Sequence, residues 1–306
     1  MKTFLNYFKN YFTTEFSLAA HILVLVFVFT SIFLNYKYDV YSEYFRVINY
    51  QGTGVIKLWG MYAFAFLIPI IIISIFQKKD KSILNPRYIV MGLVGLLFVS
   101  VDSSYYLLQF VKKIIPAQSL DYSFYYACFS NLISLFSIII PCSILYIVIK
   151  TFHPEMYGLR LNGANIKHYL GLILIMVPIV WIASMGDDFL LYYKTKSFKS
   201  SSIPQNIKLI VYELCYGFDF LSVELLFRGF MVVALSKFVG KDAILPMVAC
   251  YAFLHFGKPM METIGSVFGG FALGVLAYKS RNIYGGLIVH LGVAWGMEIA
   301  AFSHMT

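Results

Sequence analysis

The chain has 306 residues, of which 60% are hydrophobic and 13% charged, and its formal net charge is +9. Ordinary soluble domains carry roughly 25% charged residues, so this composition cannot cover a water-facing surface and excludes a globular domain on a single anchor. The Lys and Arg residues sit mostly in short loops between apolar runs, which points to membrane anchoring and not to nucleic-acid binding.

In chain order, Met1 to Glu15 is polar and aromatic and does not read as a cleaved signal peptide. The first apolar run, from about Ser17, is therefore expected to be the first span. Candidate spans follow at about 17–35, 55–76, 88–111, 127–149, 169–186, 209–236, 242–256, 265–279 and 283–303. A helix crosses the hydrocarbon core with about 20 residues, so the expected fold is an all-α polytopic membrane helix bundle of eight or nine transmembrane helices.

The separators between spans carry polar and turn-forming residues: Gln77–Lys81 with Asn85, Pro86 and Arg87; Lys112, Lys113 and Pro116; His153–Pro154 through Asn165; and Lys194–Pro204. None is long enough for a second folded domain, so residues 1–208 and 209–306 are expected to form one continuous membrane domain. Basic residues divide almost evenly between the two sides when the N-terminus is placed in the cytoplasm, so the positive-inside rule does not fix the orientation. No internal repeat is visible, which removes one of the better sequence arguments for a small-solute transporter. Cys128, Cys142, Cys215 and Cys250 lie in apolar stretches without paired spacing and read as buried free thiols.

Ionisable residues are few inside the early spans, where Asp102, flanked by Ser103 and Ser104, is the clearest. The last third differs, with Glu213, Asp219, Glu224, Arg228, His255, His290 and Glu298 all in apolar context. An ionisable side chain at membrane depth costs several kcal/mol unless paired or hydrated, which makes each a candidate for function. Glu224 and Arg228 stand four apart, one helical turn, and can neutralise each other; a purely structural salt bridge explains that pair equally well. Gly229 permits close approach of a neighbour to this turn. His255 and His290 fall on two later helices.

Peptide hydrolysis inside a membrane needs a base to take a proton from water, donors for the developing oxyanion, and a wet pocket walled from lipid. A carboxylate and two imidazoles can supply these. The same three groups could also bind zinc, although H-E-x-x-H, the pattern that makes metal the first choice, is absent.

These residues resemble a known family, the CPBP (CAAX protease and bacteriocin-processing, or Abi) intramembrane endopeptidases, whose pattern is E-E-x-x-x-R, then F-x-x-x-H, then H-x-x-x-N or D on successive helices. Val223-Glu224-Leu225-Leu226-Phe227-Arg228-Gly229 is similar to the first motif, Tyr251 to His255 to the second, and His290 to Ala294 to the third. The resemblance covers roughly residues 209–303 and implies a CPBP-like C-terminal core. It further implies that the first Glu of the pair and the second-motif His activate water, and that the third-motif His and Asn form the oxyanion pocket. Two positions depart from the pattern: Val223 stands where the first Glu is expected, and Ala294 where Asn or Asp is expected. Either Glu224 turns into the vacant role or Asp219, one turn before Val223 on the same face, presents a carboxylate nearby.

The resemblance thus implies a glutamate-type endopeptidase acting on a membrane-associated peptide or protein, with Glu224, His255, His290 and Arg228 as catalytic residues. The alternative is a catalytically inactive relative that serves as a membrane scaffold or maturation partner. No cofactor or metal is expected, and membrane lipid is the surrounding partner. An integral, multi-pass location in a bacterial inner membrane is the expected setting.

Overall fold

The structure is a computed structural model describing residues 2–46, 53–77, 82–104, 106–116, 118–149, 156–159, 166–193, 198, 201 and 203–304. Of the polar separators expected at 77–81, 153–165 and 194–204, residues 78–81, 153–155, 160–165, 194–197, 199–200 and 202 lie outside the described residues. Among those described there is no strand, and the chain is an all-α polytopic membrane bundle.

Helix α1 (Lys2–Asn10) leads into α2 (Leu18–Lys37), α3 (Gly54–Phe76), α4 (Pro86–Ser103) and α5 (Tyr106–Ile114). Helices α6 (Tyr122–Ser134) and α7 (Ile140–Val148) are joined through a π-helical turn, Leu135–Ile139, and are followed by α8 (Ile166–Ala183) and α9 (Asp187–Tyr192). Helix α10 (Gln205–Glu224) passes without a break into a π-helical segment, Leu225–Ala234. The chain ends with α11 (Ser236–Val239), α12 (Ile244–Leu254), α13 (Met260–Ser280) and α14 (Tyr284–Ser303).

Six helical stretches among the described residues are long and apolar enough to cross a membrane: Leu18–Lys37, Gly54–Phe76, Pro86–Ile114, Tyr122–Val148, Met260–Ser280 and Tyr284–Ser303. The remaining expected spans take other forms. The apolar part of α8 is the shorter Tyr169–Ala183. The segment expected at 209–236 is a long continuous helix whose apolar run is broken by Glu213, Asp219, Glu224 and Arg228. The one expected at 242–256 yields only α12, whose 11 residues reach roughly 16 Å at about 1.5 Å per residue, half the hydrocarbon thickness of about 30 Å.

Helix α12 is short because it is interior. Every residue from Ile244 to Phe253 is buried, and α2, α3 and α13 pack around it, as a helix apolar on all faces requires. His255 and Phe256 of the turn that follows are buried, and the turn's carbonyls are satisfied by side chains from other helices, as irregular backbone in a membrane protein demands. Asn35 Nδ2 donates to Phe256 O at 3.1 Å, Tyr36 Oη to Lys258 O at 2.6 Å, and Thr263 Oγ1 to His255 O at 2.6 Å. His255 is therefore fixed from both α2 and α13.

Local sequence accounts for the other boundaries. Asn85 caps α4 by accepting from the backbone N–H groups of Arg87 and Tyr88, with Pro86 in the first turn where its missing N–H costs nothing. The π-helical segment is buried throughout, and Gly229 sits where a Cβ would lie 2.7 Å from the Tyr157 carbonyl oxygen. The close neighbour that Gly229 admits is thus a loop backbone and not a second helix.

Candidate functional site

Glu224 closes the α-helical part of α10, and Arg228 lies in the π-helical segment that continues it. Such π-helical insertions are rare and recur at functional positions. Both side chains are fully buried, and Arg228 Nη1 lies 3.0 Å from Glu224 Oε1. The guanidinium also rests over the Tyr251 ring, 4.1 Å from its centroid, and makes no hydrogen bond with other described residues.

The same oxygen, Glu224 Oε1, is 3.0 Å from His290 Nδ1 of α14, and His290 Nε2 is 3.1 Å from the Tyr251 hydroxyl of α12. A carboxylate can only accept, so Nδ1 carries the proton and the Tyr251 O–H donates to Nε2. This is a chain of carboxylate, imidazole and phenol running through three helices. A carboxylate that fixes the tautomer of an imidazole, which in turn engages a hydroxyl, is the logic of the hydrolytic triads.

His255 stands apart from that chain, with its ring centroid 4.6 Å from that of Tyr251. Its Nδ1 lies 2.8 Å from the Tyr251 carbonyl oxygen, so Nδ1 is the donor and Nε2 keeps its lone pair. Nε2 has no partner among the described residues, although the residue is only 6% exposed.

That edge faces a cavity of about 820 Å³ lined by His255, His290, Tyr251, Val223 and Lys258, together with carboxylates from three helices. The carboxylates are Asp102 of α4, Glu213 and Asp219 of α10, and Glu298 of α14. Trp295, Ile299 and Phe302, which are exposed on the outer face of α14, line the cavity as well, so it communicates with the lipid-facing surface. Glu224 does not line it and meets it only through His290.

All four site residues named from the sequence are thereby brought together, in two tiers. His255 and His290 face the cavity, whereas Glu224 and Arg228 stand behind His290. Val223 lines the cavity and Ala294 is fully buried. Among the described residues no three His, Cys, Asp or Glu side chains converge as a metal-binding set, and both nitrogens of His290 already have partners. Two participants escaped sequence reasoning. Tyr251 was visible only as the first position of a Y-x-x-x-H segment, and the signal it offered was a hydroxyl where the family pattern has Phe. Lys258, ion-paired with Glu262 at 2.7 Å, follows His255 by three residues and looked like an ordinary loop lysine.

Residues 210–296 match the family model described as type II CAAX prenyl endopeptidase, Rce1-like. This stretch is similar to the CPBP-type endopeptidases. It holds α10 from its second turn through most of α14, and with them Glu224, Arg228, Tyr251, His255 and His290. The match supports a CPBP-type intramembrane protease in an integral, multi-pass membrane protein, the setting that the six candidate spans require. No curated protein and no solved structure shows a significant match to the chain.

Proposed function

We propose that the protein is an intramembrane endopeptidase that hydrolyses an amide bond of a membrane-associated peptide inside the cavity beside α12. The observation that carries this reading is the unpartnered Nε2 edge of a buried histidine, aimed into a cavity that also holds four carboxylates and reaches the lipid face. Nε2 accepts a hydrogen bond from the attacking water and orients it towards the substrate carbonyl. The Tyr251 hydroxyl turns from His290 Nε2 to the developing oxyanion, the task for which Ala294 has no side chain. Glu224 and Arg228 act as positioning residues: the carboxylate sets the tautomer of His290, and the guanidinium balances its charge and braces Tyr251.

Exposed Trp295, Ile299 and Phe302 at the lipid side suit a substrate that enters from the bilayer. One observation favours a second reading, an inactive relative that only binds such a peptide. Val223 occupies the cavity-facing position where the family pattern places a carboxylate, and Glu224 is committed to Arg228 and His290.

The deciding experiment offers the purified protein in lipid nanodiscs a panel of single-span peptides, with His255→Ala and Tyr251→Phe as controls. Cleavage by wild type and its loss in His255→Ala supports hydrolysis. Binding without cleavage across the panel overturns hydrolysis and leaves the second reading.

A further inference from the structure

A second cavity, of about 630 Å³, is walled by Phe253 and Phe256, whereas Tyr251, Leu254 and His255 line the first; the two share the end of α12 but no lining residue. Its other walls come from α2, from α3 and from the π-helical turn Tyr41–Arg46 between them. Its size falls within the roughly 300–1,000 Å³ of small-molecule sites. Helix α2 ends at Lys37 and α3 begins at Gly54, so these two candidate spans meet the same membrane face here. Lys57 stands in the first turn of α3, and Phe64 lies seven residues further on, about 10 Å deeper at about 1.5 Å per residue. Leu34 and Phe64 line the cavity and are exposed, so the groove opens towards lipid.

The chemistry of the walls specifies an occupant. The interior is apolar, and its polar side chains are already used. Ser31 Oγ donates to Phe27 O at 2.8 Å, and Asn35 donates to Phe256 O while its Oδ1 accepts from the Tyr41 N–H. A hydrocarbon chain suits such a space, because it strands no polar atom there. At the mouth the balance is reversed. Lys57 is exposed, its side chain makes no ion pair or hydrogen bond among the described residues, and no carboxylate among them lines the cavity. Gly60, one turn inward from Lys57, keeps the groove open: a Cβ there would meet no atom within 4 Å.

We infer that this groove binds an anionic phospholipid of the surrounding bilayer, with one acyl chain between α2, α3 and the Phe253 and Phe256 rings and the headgroup phosphate against the Lys57 ammonium. A free phosphate makes no use of the apolar depth, and a lipid without net charge leaves the cation uncompensated. A second copy docked through the same face about a twofold axis would bring a second Lys57 to the contact, setting like charges together. The bound chain lies against residues that bracket His255 in sequence and so packs the turn presenting it to the other cavity. Lipid binding here does not require the protein to hydrolyse a peptide.

The test uses wild-type protein in phosphatidylcholine nanodiscs containing a small fraction of phosphatidylglycerol with a photoreactive diazirine in its acyl chain, and a parallel set with the matching phosphatidylcholine probe. After irradiation, mass spectrometry maps the adducts. The phosphatidylglycerol probe is expected to label Phe64 or Phe253 about fivefold more than the phosphatidylcholine probe, the ratio equivalent to the ~1 kcal/mol that an anionic membrane surface gives one lysine. Lys57→Gln should bring the two probes to equal labelling, and Lys57→Arg should keep the preference. Gly60→Leu fills the groove and favours the helix, so it should lower cavity labelling by both probes at least fivefold while adducts on exposed Ile75, at the other end of α3, persist. Equal labelling by both probes in wild type overturns the anionic site and leaves an ordinary bilayer contact. Cavity adducts undiminished in Gly60→Leu, or a preference undiminished in Lys57→Gln, overturn it as well. So does an absence of cavity adducts, and two protein copies per disc would then assign the groove to a second copy. Displacement of the probe by single-span peptides overturns the lipid and gives the groove to the peptide.

Discussion

The Glu224–Arg228 pair lends itself to a double-mutant cycle, because both partners are buried and the contact is a single one. Glu224→Leu strips the guanidinium of its counter-ion and His290 Nδ1 of its acceptor. Removing one member of a buried ion pair costs about 3–5 kcal/mol, since the survivor stays charged and poorly solvated. Arg228→Met loses the same pair and also the stacking over Tyr251 at 4.1 Å, worth about 2 kcal/mol when desolvated. Glu224→Leu/Arg228→Met leaves no orphan charge. What persists in it is the unpaired His290 N–H, about 1–3 kcal/mol, and the lost stacking. The double variant should therefore be more stable than either single one, with a coupling of about 3 kcal/mol or more. Reversible unfolding in mixed micelles by titration with a denaturing detergent, followed by near-UV circular dichroism, measures all four corners of the cycle. Additive costs, or a double variant weaker than both singles, would show that the buried charges do not compensate each other, and the positioning role of Arg228 would fall with that result.

Gly286→Ala would set a Cβ 2.6 Å from Glu224 Oε2, a side chain already held by Arg228 and His290; a stability loss of about 1–3 kcal/mol and a fall in cleavage are expected, read by the same unfolding and peptide assays. Tyr251→Phe keeps the ring beneath Arg228 but removes the hydroxyl from His290; it should cost about 0.5–1.5 kcal/mol in stability and about 10²–10³ in kcat, and a kcat within threefold of wild type would deny the hydroxyl its oxyanion role. At the mouth of α6, Lys208 and then Ser201 hold the Asp121 carboxyl below the usual carboxylate range. A depressed folded-state value means that this contact stabilises the protein above the unfolded value of about 3.9 and stops doing so as pH falls through the lower folded value. The difference in melting temperature between wild type and Asp121→Asn should accordingly be present at neutral pH and shrink below about pH 4.

The membrane bundle was legible in the sequence because its signal is additive: long apolar runs such as 17–35 and 55–76 need no knowledge of their neighbours. The grouping of Glu224, Arg228, His255 and His290 was legible from ordered spacing. What spacing could not convey is direction across the bundle. The step of one residue between Val223 and Glu224 decides which side chain meets the cavity and which stands behind His290, and that depends on how the helix is rotated against α12 and α14. The surroundings of Asp102 were not legible, since Ser137, which donates to it, is far away in the chain. The brevity of α12 was hidden for the same reason. Its composition reads as a span, and only the helices wrapped around it reveal that lipid never reaches it.

The brevity of α12 bears on how the protein is made. An 11-residue segment is too short to be handed to the bilayer as a stable span of its own. It gains its surroundings from α2 and α3, already synthesised, and from α13, which follows. The nascent chain must therefore seat α12 against helices already in place, with the longer α13 closing over it. The consequence is an order of assembly: residues 210–296 fold onto a seat that the preceding helices provide. Expression of 209–306 alone should give a fragment without its fold, and co-expression with 1–208 should restore it.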